Sequence, residues 1–295
     1  MLKRVLVGWL LLTGMVLAAP NPELIIFSPD DKATTYDETA VVRGAAFFDG
    51  SSALLVQKIP VLPQAEGAFS QEVSLAIGKN LLQIEILDRR SKVQVLETRR
   101  ILRLATFSDL TNDYWSKKPV EQMLTLGLIK GYPDETFLPN NSITRAELTA
   151  ILVKLAAGES RPYRAKSFSD VPPDHWAAAA IATGSELGLM TGFPDGTFRP
   201  DNTITRLEGI ALIARFDNLA APLVDGLSPY TDLPADNWAI ELVQGAKNAG
   251  RLMYIKTDYL APFEQLSRGE AALLLSESER GARLVGDLLN FDLGY

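Results

Sequence analysis

Hydrophobic and polar positions follow two regimes along this chain. Up to about residue 105, apolar residues come in short runs or alternate with polar ones. Leu24-Ile25-Ile26-Phe27 stops at Ser28-Pro29-Asp30-Asp31, a turn signal. Ala40-Val41-Val42 leads into Gly44, and Leu54-Leu55-Val56 follows Asp49-Gly50-Ser51-Ser52. Phe69, Val73, Leu75 and Ile77 lie in a run closed by Gly78-Lys79-Asn80, and Leu82, Ile84 and Ile86 then alternate with Gln83 and Glu85. Period two marks a half-buried strand. Val93, Val95 and Ile101 continue the theme. Short strands about ten residues apart predict a small antiparallel sandwich. Beyond Leu104-Ala105-Thr106 the period changes. Val120, Met123, Leu124 and Leu128 recur at helical spacing, as do Leu148, Ile151, Leu152 and Leu155.

The helical part repeats. Trp115, Trp176 and Trp238 lie 61 and 62 residues apart. An aromatic stands eight residues before each (Phe107, Phe168, Tyr230) and an aspartate six before (Asp109, Asp170, Asp232). Twelve residues after each is a glycine (Gly127, Gly188, Gly250), and twenty-four after is a proline (Pro139, Pro200, Pro262). Thirty after is an arginine (Arg145, Arg206, Arg268), and thirty-two after a glutamate (Glu147, Glu208, Glu270). Such register over three copies is the signature of a repeat array. Each copy predicts helix, loop, helix. The glycine twelve residues after the tryptophan suits a helix end. Thr144 with Glu147, Thr205 with Glu208 and Ser267 with Glu270 form capping boxes that open the second helix. A two-helix unit of this size cannot bury its apolar stripe alone, so the copies are expected to pack together.

Charge and composition narrow the function. A net charge of -7 argues against a general nucleic-acid or anionic-membrane binder. The absence of cysteine rules out disulfides, thiolate metal sites and a cysteine nucleophile, and a single histidine, His175, cannot build a triad. No cofactor and no metal site are expected. Lys3 and Arg4, the apolar run Val5 to Leu17 and then Ala18-Ala19 read as a secretory leader over residues 1–18. With it removed, no stretch approaches membrane-spanning length. The expected organisation is a leader (1–18), an immunoglobulin-like β-sandwich (19–105), three repeats (106–160, 161–222 and 223–283) and a tail (284–295).

Phe107-Ser108-Asp109-Leu110 with Trp115, Gly131-Tyr132-Pro133-Asp134 and Ile143-Thr144-Arg145-Ala146-Glu147 resemble the S-layer homology domain. Phe168-Ser169-Asp170-Val171, His175-Trp176-Ala177, Gly192-Phe193-Pro194-Asp195-Gly196 and Ile204-Thr205-Arg206 match it equally well. The resemblance covers about residues 106–283. It implies three copies in one all-α pseudo-threefold unit. It implies grooves that bind secondary cell-wall polymer, often through a pyruvate ketal, or peptidoglycan-linked glycan. It also implies that the motif arginine is the main contact. The glycines and strand pattern of residues 66–84 resemble bacterial immunoglobulin-like modules, so the fold expected is an N-terminal all-β sandwich followed by the all-α unit.

The residues' own chemistry points the same way. Arg145, Arg206 and Arg268 sit in the first turn of a helix, where free amides and the dipole favour an anion, and a guanidinium is a fork matched to a carboxylate. Trp115, Trp176 and Trp238 are candidate groove walls, although packing in the core is the commoner role for such a residue. Gly131 and Gly192 would let backbone approach a ligand. Asp109, Asp170 and Asp232 complete the candidate ligand-binding set, with helix capping or arginine orientation as their expected work. Tyr254 stands where the third copy should have that glycine, so its groove is expected to be altered. On this basis Arg145 and Arg206 are expected to bind more strongly than Arg268. The function expected is a non-catalytic, exported envelope protein held to an anionic wall glycan and displaying its β domain. The alternatives are a glycan-active enzyme, which needs only two carboxylates, or a self-assembling envelope scaffold.

Overall fold

The computed structural model describes residues 21–157 and 168–295; the leader read over residues 1–18 lies outside them. Eight strands form early in the chain: β1 (Glu23–Ser28), β2 (Ala33–Thr35), β3 (Thr39–Phe47), β4 (Ala53–Val56), β5 (Ile59–Val61), β6 (Ala68–Ser74), β7 (Gly78–Leu87) and β8 (Val93–Arg103). They make two sheets, of order β1-β3-β6 and β2-β8-β7-β4-β5. The period-two reading holds locally. On β7, Leu82, Ile84 and Ile86 are fully buried, and on β4 Leu54 and Val56 are buried likewise. Each such side chain contributes roughly 1.5–3 kcal/mol by leaving water.

Among the described residues seven helices follow: α1 (Lys117–Thr125), α2 (Arg145–Ala157), α3 (Ala178–Glu186), α4 (Arg206–Phe216), α5 (Ile240–Asn248), α6 (Arg268–Glu277) and α7 (Glu279–Leu289). α1, α3 and α5 end alike. Gly127 has φ 69°, its N–H donates to Leu124 O at 2.8 Å, and Leu128 N–H reaches back to Met123 O at 3.0 Å. That is a Schellman closure, which needs a left-handed residue. Gly188 and Gly250 do the same. α2 packs on α3, α4 on α5, and α6 on α1. Val120, Met123, Leu148, Leu152, Ile181, Ile210, Val243 and Leu275 share one buried cluster.

The expected fold class, an all-β immunoglobulin-like sandwich followed by an all-α pseudo-threefold unit, is corrected on both counts. The β region is mixed, because β2 runs parallel to β8, with Ala33 opposite Ile101 and Thr35 opposite Arg103. Three residues directly after a turn signal carry too little pattern to announce a strand. The later region is not all-α. Isolated β bridges join Ser142 to Ser267, Thr144 to Thr203 and Thr205 to Gln265. Ile143 N–H donates to Leu266 O, Leu266 N–H to Ile204 O and Ile204 N–H to Ile143 O, a closed ring of backbone hydrogen bonds. A seventh helix also lies outside the paired pattern, its N-terminus capped by Ser278, whose hydroxyl accepts from Gly281 N–H at 3.1 Å.

By contacts the chain divides into two compact units. One takes the described residues up to Asp31 with 39–74 and 81–99; the other takes 32–38, 75–80 and 100–295. The second unit carries every candidate site residue. Within it Tyr36 donates to Glu121 at 2.8 Å, and Lys79 donates to the carbonyls of Asp287, Asn290 and Leu293 at the end of α7.

Candidate functional site

The helix starts carry their arginines differently from the sequence expectation. The amides of their first turn are not free. Arg145 N–H donates to Asn202 O at 2.9 Å and Ala146 N–H to Pro200 O at 3.0 Å. Arg206 N–H donates to Glu264 O, Arg268 N–H to Asn141 O, and the next residue in each case finds a proline carbonyl. The capping boxes occupy the amides after that, as with Glu147 N–H to Thr144 Oγ1 at 3.2 Å. An anion must therefore be held by side chains.

Each arginine also serves a loop other than its own. Arg145 reaches the second loop: Nε donates to Phe198 O at 2.9 Å and Nη2 to Thr191 O at 2.8 Å. Its guanidinium lies 4.8 Å from the ring centres of both Phe193 and Phe198. Nη1 has no partner among the described residues. Burial lowers the Arg145 pKa, with Glu208 opposing. Beside it lies a groove of about 290 Å³, bordered by Thr191, Phe193, Glu208, Arg215 and Trp238.

Arg268 reaches the first loop. Nε donates to Phe137 O at 2.9 Å and Nη2 to Lys130 O at 2.8 Å, while Nη1 pairs with Glu147 at 2.6 Å. It is only 7% exposed. Its groove, about 230 Å³, is bordered by Tyr132, Glu147, Ile151, Lys154 and Trp176.

Arg206 reaches the third loop through Nε and Nη1 and is paired there with two carboxylates. Nε pairs with Glu270 at 2.7 Å and Nη1 with Glu264 at 3.0 Å, and Nη1 also donates to Leu260 O at 3.1 Å. Tyr254 donates to the same Glu270 oxygen at 2.5 Å, and Trp115 stacks on Tyr254 with centroids 5.5 Å apart. Burial opposes the charge on Arg206, but Glu270, Tyr254 and Glu264 outweigh it and raise the pKa. Burial and the adjacent Glu270 charge raise the Tyr254 pKa. Glu270 thus never turns back to complete its capping box. Tyr254 therefore accompanies Arg206 rather than Arg268, which borders the open hollow beside the first loop.

The other candidates divide into exposed and structural. The tryptophans are not core: Trp115, Trp176 and Trp238 are 51%, 66% and 63% exposed. Trp176 and Trp238 stand on the rims of the two open grooves. The aspartates neither cap helices nor orient arginines. Asp109 accepts from Phe137 and Leu138 N–H, Asp170 from Phe198 and Arg199, and Asp232 from Leu260 and Ala261. Each holds a loop where the chain passes through a left-handed residue, Leu138, Arg199 or Ala261. Gly131 and Gly192 are needed by a neighbour. A Cβ on Gly131 would lie 2.1 Å from the Phe107 ring, and one on Gly192 would lie 2.2 Å from the Phe168 ring. His175 Nδ1 accepts from Ala177 N–H at 3.1 Å before α3.

Sequence reasoning missed a second cation. Lys154 and Arg215 border the two open grooves, and both stand thirty-nine residues after a repeat tryptophan. The same column holds Glu277 in the third copy. The signal is present in the register of the repeat, at the same column in the first two copies. Burial and neighbouring Lys130 lower the Lys154 pKa, and burial raises that of Glu277. Among the described residues no group of histidine, cysteine and carboxylate side chains could hold a metal, and no helix is long and apolar enough to cross a membrane.

The S-layer homology domain model matches residues 106–149 and 167–208. Cell surface glycoprotein 1 of Acetivibrio thermocellus is 34% identical over 165 residues, 52% of this chain and 7% of that protein. The cellulosome-anchoring protein of the same organism is 32% identical over 168 residues, 55% of this chain and 38% of that protein. A surface layer protein of Brevibacillus choshinensis is 26% identical over 168 residues, 56% of this chain and 14% of that protein. The chain therefore spans well under half the length of these relatives.

Proposed function

This chain carries S-layer homology domains and is an exported cell-envelope protein, and from that premise we propose that it anchors to the wall by holding an acidic glycan in two grooves. The polymer is a secondary cell-wall polysaccharide or a peptidoglycan-linked glycan whose acid, such as a pyruvate ketal, meets a guanidinium. Residues 223–283 are a third, altered copy, and the mixed β region is the part displayed. The anchor is non-catalytic. Glu147 and Glu208 close capping boxes, which ties their oxygens to backbone N–H groups.

One observation carries the reading. Arg145 presents an unpaired guanidinium edge to a groove that also has a basic wall, Arg215, and an exposed aromatic rim, Trp238. A planar fork meets a carboxylate, and the indole face suits the apolar face of a sugar ring. Around the first loop Lys154 and Trp176 supply the same basic wall and aromatic rim, while Arg268 has all three nitrogens paired and Glu147 balances its charge.

The test is co-sedimentation of the full chain with wall sacculi, before and after the secondary polymer is stripped. Binding should be lost on stripping and weakened strongly by Arg145→Gln. Unchanged binding of the R145Q protein to intact sacculi overturns the assignment to this groove.

A further inference from the structure

The Arg145 groove does not end at Arg215. A second hollow of about 450 Å³ shares Gly188, Leu189, Leu212 and Arg215 with it, then continues past Leu187 and Phe216 to Arg280. Glu208, Leu212 and Arg215 lie on one face of α4, at spacings of four and three residues. From Glu208 to Arg215 that face runs about 10 Å, and Arg280, on α7, stands beyond it. The path is longer than a single sugar needs.

Its far end is built and charged. Arg280 Nη1 donates to Leu155 O at 3.3 Å and to Ala156 O, carbonyls of the last turn of α2 that have no partner within the helix. The guanidinium also lies 5.9 Å from the Phe216 ring. The Arg215 side chain makes no hydrogen bond or ion pair among the described residues. Two guanidiniums bordering one hollow floored by Leu152, Leu189 and Leu212 repel one another, and an anion laid between them relieves that repulsion.

We infer that the Arg145 groove and this hollow form one channel that takes several consecutive residues of an acidic glycan, with Arg280 holding an acid on a sugar distant from the one at Arg145. The inference rests on the reading of the Arg145 groove as a glycan site and adds polymer length to it. Leucine and phenylalanine meet the apolar faces of the sugars, and the arginines meet acids borne at intervals along the chain. α7 lies outside the helix pairs, so this end of the channel is a feature of one groove rather than of every copy.

Size-fractionated acidic glycan released from sacculi, as single-repeat and four-repeat fragments, tests it by calorimetry on the full chain. The wild type should bind the longer fragment at least about tenfold more tightly per fragment, the effect of one added charge-assisted contact. Arg280→Gln should remove that gain while leaving single-repeat affinity within a factor of two. Leu187→Glu, at a 48%-exposed position that tolerates a carboxylate, should do the same by repulsion if R280Q loosens α7. Equal affinity of the wild type for both lengths, or a length gain that survives both substitutions, overturns the channel. Loss of the length gain with single-repeat binding intact upholds it. Failure of either fragment to respond to R145Q instead overturns the glycan site itself.

Discussion

The groove beside Arg145 and the one beside Arg206 draw on the same columns of the repeat, yet they face solvent with different chemistry. At Arg145 the guanidinium rests on two carbonyls and keeps one edge outward. At Arg206 two carboxylates and two carbonyls take the guanidinium, a tyrosine stands in the space a glycine leaves elsewhere, and Trp115 covers that tyrosine. The column that holds Lys154 and Arg215 in the first two copies holds Glu277 in the third. The comparison separates two uses of one residue type. An arginine left short of anionic partners can recruit a ligand, whereas one whose charge two protein carboxylates already balance holds the fold together.

The largest effect should come from breaking the closed groove. Arg206→Gln leaves Glu270, whose side chain is 3% exposed, as a buried carboxylate without its cation, costing about 3 kcal/mol or more. Thermal unfolding should fall by several degrees while sacculus binding of the folded protein holds; binding lost at an unchanged melting temperature would make the third groove a site. Arg145→Gln should do the reverse. One charge-assisted contact is worth about 1.5–3 kcal/mol, or roughly 10- to 150-fold in affinity, and the melting temperature should barely move. Arg145→Lys should recover only part of the loss, because a point charge lacks the fork.

Smaller substitutions sharpen the contrast. Tyr254→Phe removes the hydroxyl from Glu270 but keeps the ring under Trp115, so denaturant unfolding should report a loss of about 1 kcal/mol with no change in binding. Glu277→Gln should have the smallest effect and reveal it through pH. Burial raises the Glu277 pKa. A raised carboxyl contributes stability that is present below the ordinary carboxylate range and lost as pH rises through the raised value. Melting temperatures of the wild type should therefore decline across that interval, and those of E277Q should decline less. Parallel profiles would show that Glu277 does not feel its burial.

Much of this was legible in the sequence because the repeat columns are spaced identically. The helix pairs, the Schellman glycines and two of the three expected capping boxes follow from local patterns, while Glu270 is drawn away by Arg206 and Tyr254. The partners did not. Nothing local to Arg268 says that its guanidinium lies against Phe137 and Glu147, residues more than a hundred positions earlier, and that long-range pairing decides which loop each arginine serves. Gly131 was misread for a related reason: the Phe107 ring that excludes a Cβ is distant in sequence, so ligand access looked like the simpler cause. Asp109 went astray because its acceptors' donors, Phe137 and Leu138, sit across the segment rather than at the helix start. Lys154 and Arg215 share a column of the repeat, but nothing local to them shows that they border a groove. β2 was too short for its pattern to rise above the turn before it.

Because α2, α4 and α6 hand their arginines around the ring of backbone bonds among Ile143, Ile204 and Leu266, no copy owns a groove. The first segment lends its loop to one groove, Arg145 to a second and Trp115 to a third. Heredity acts on segments of chain, but selection for a ligand acts on grooves. A change in one copy's loop therefore spares the groove its own arginine serves, and the third loop could diverge while Arg268 went on serving the first. Deleting a single copy, by contrast, would take a member from every groove, so the array can be edited residue by residue far more readily than copy by copy.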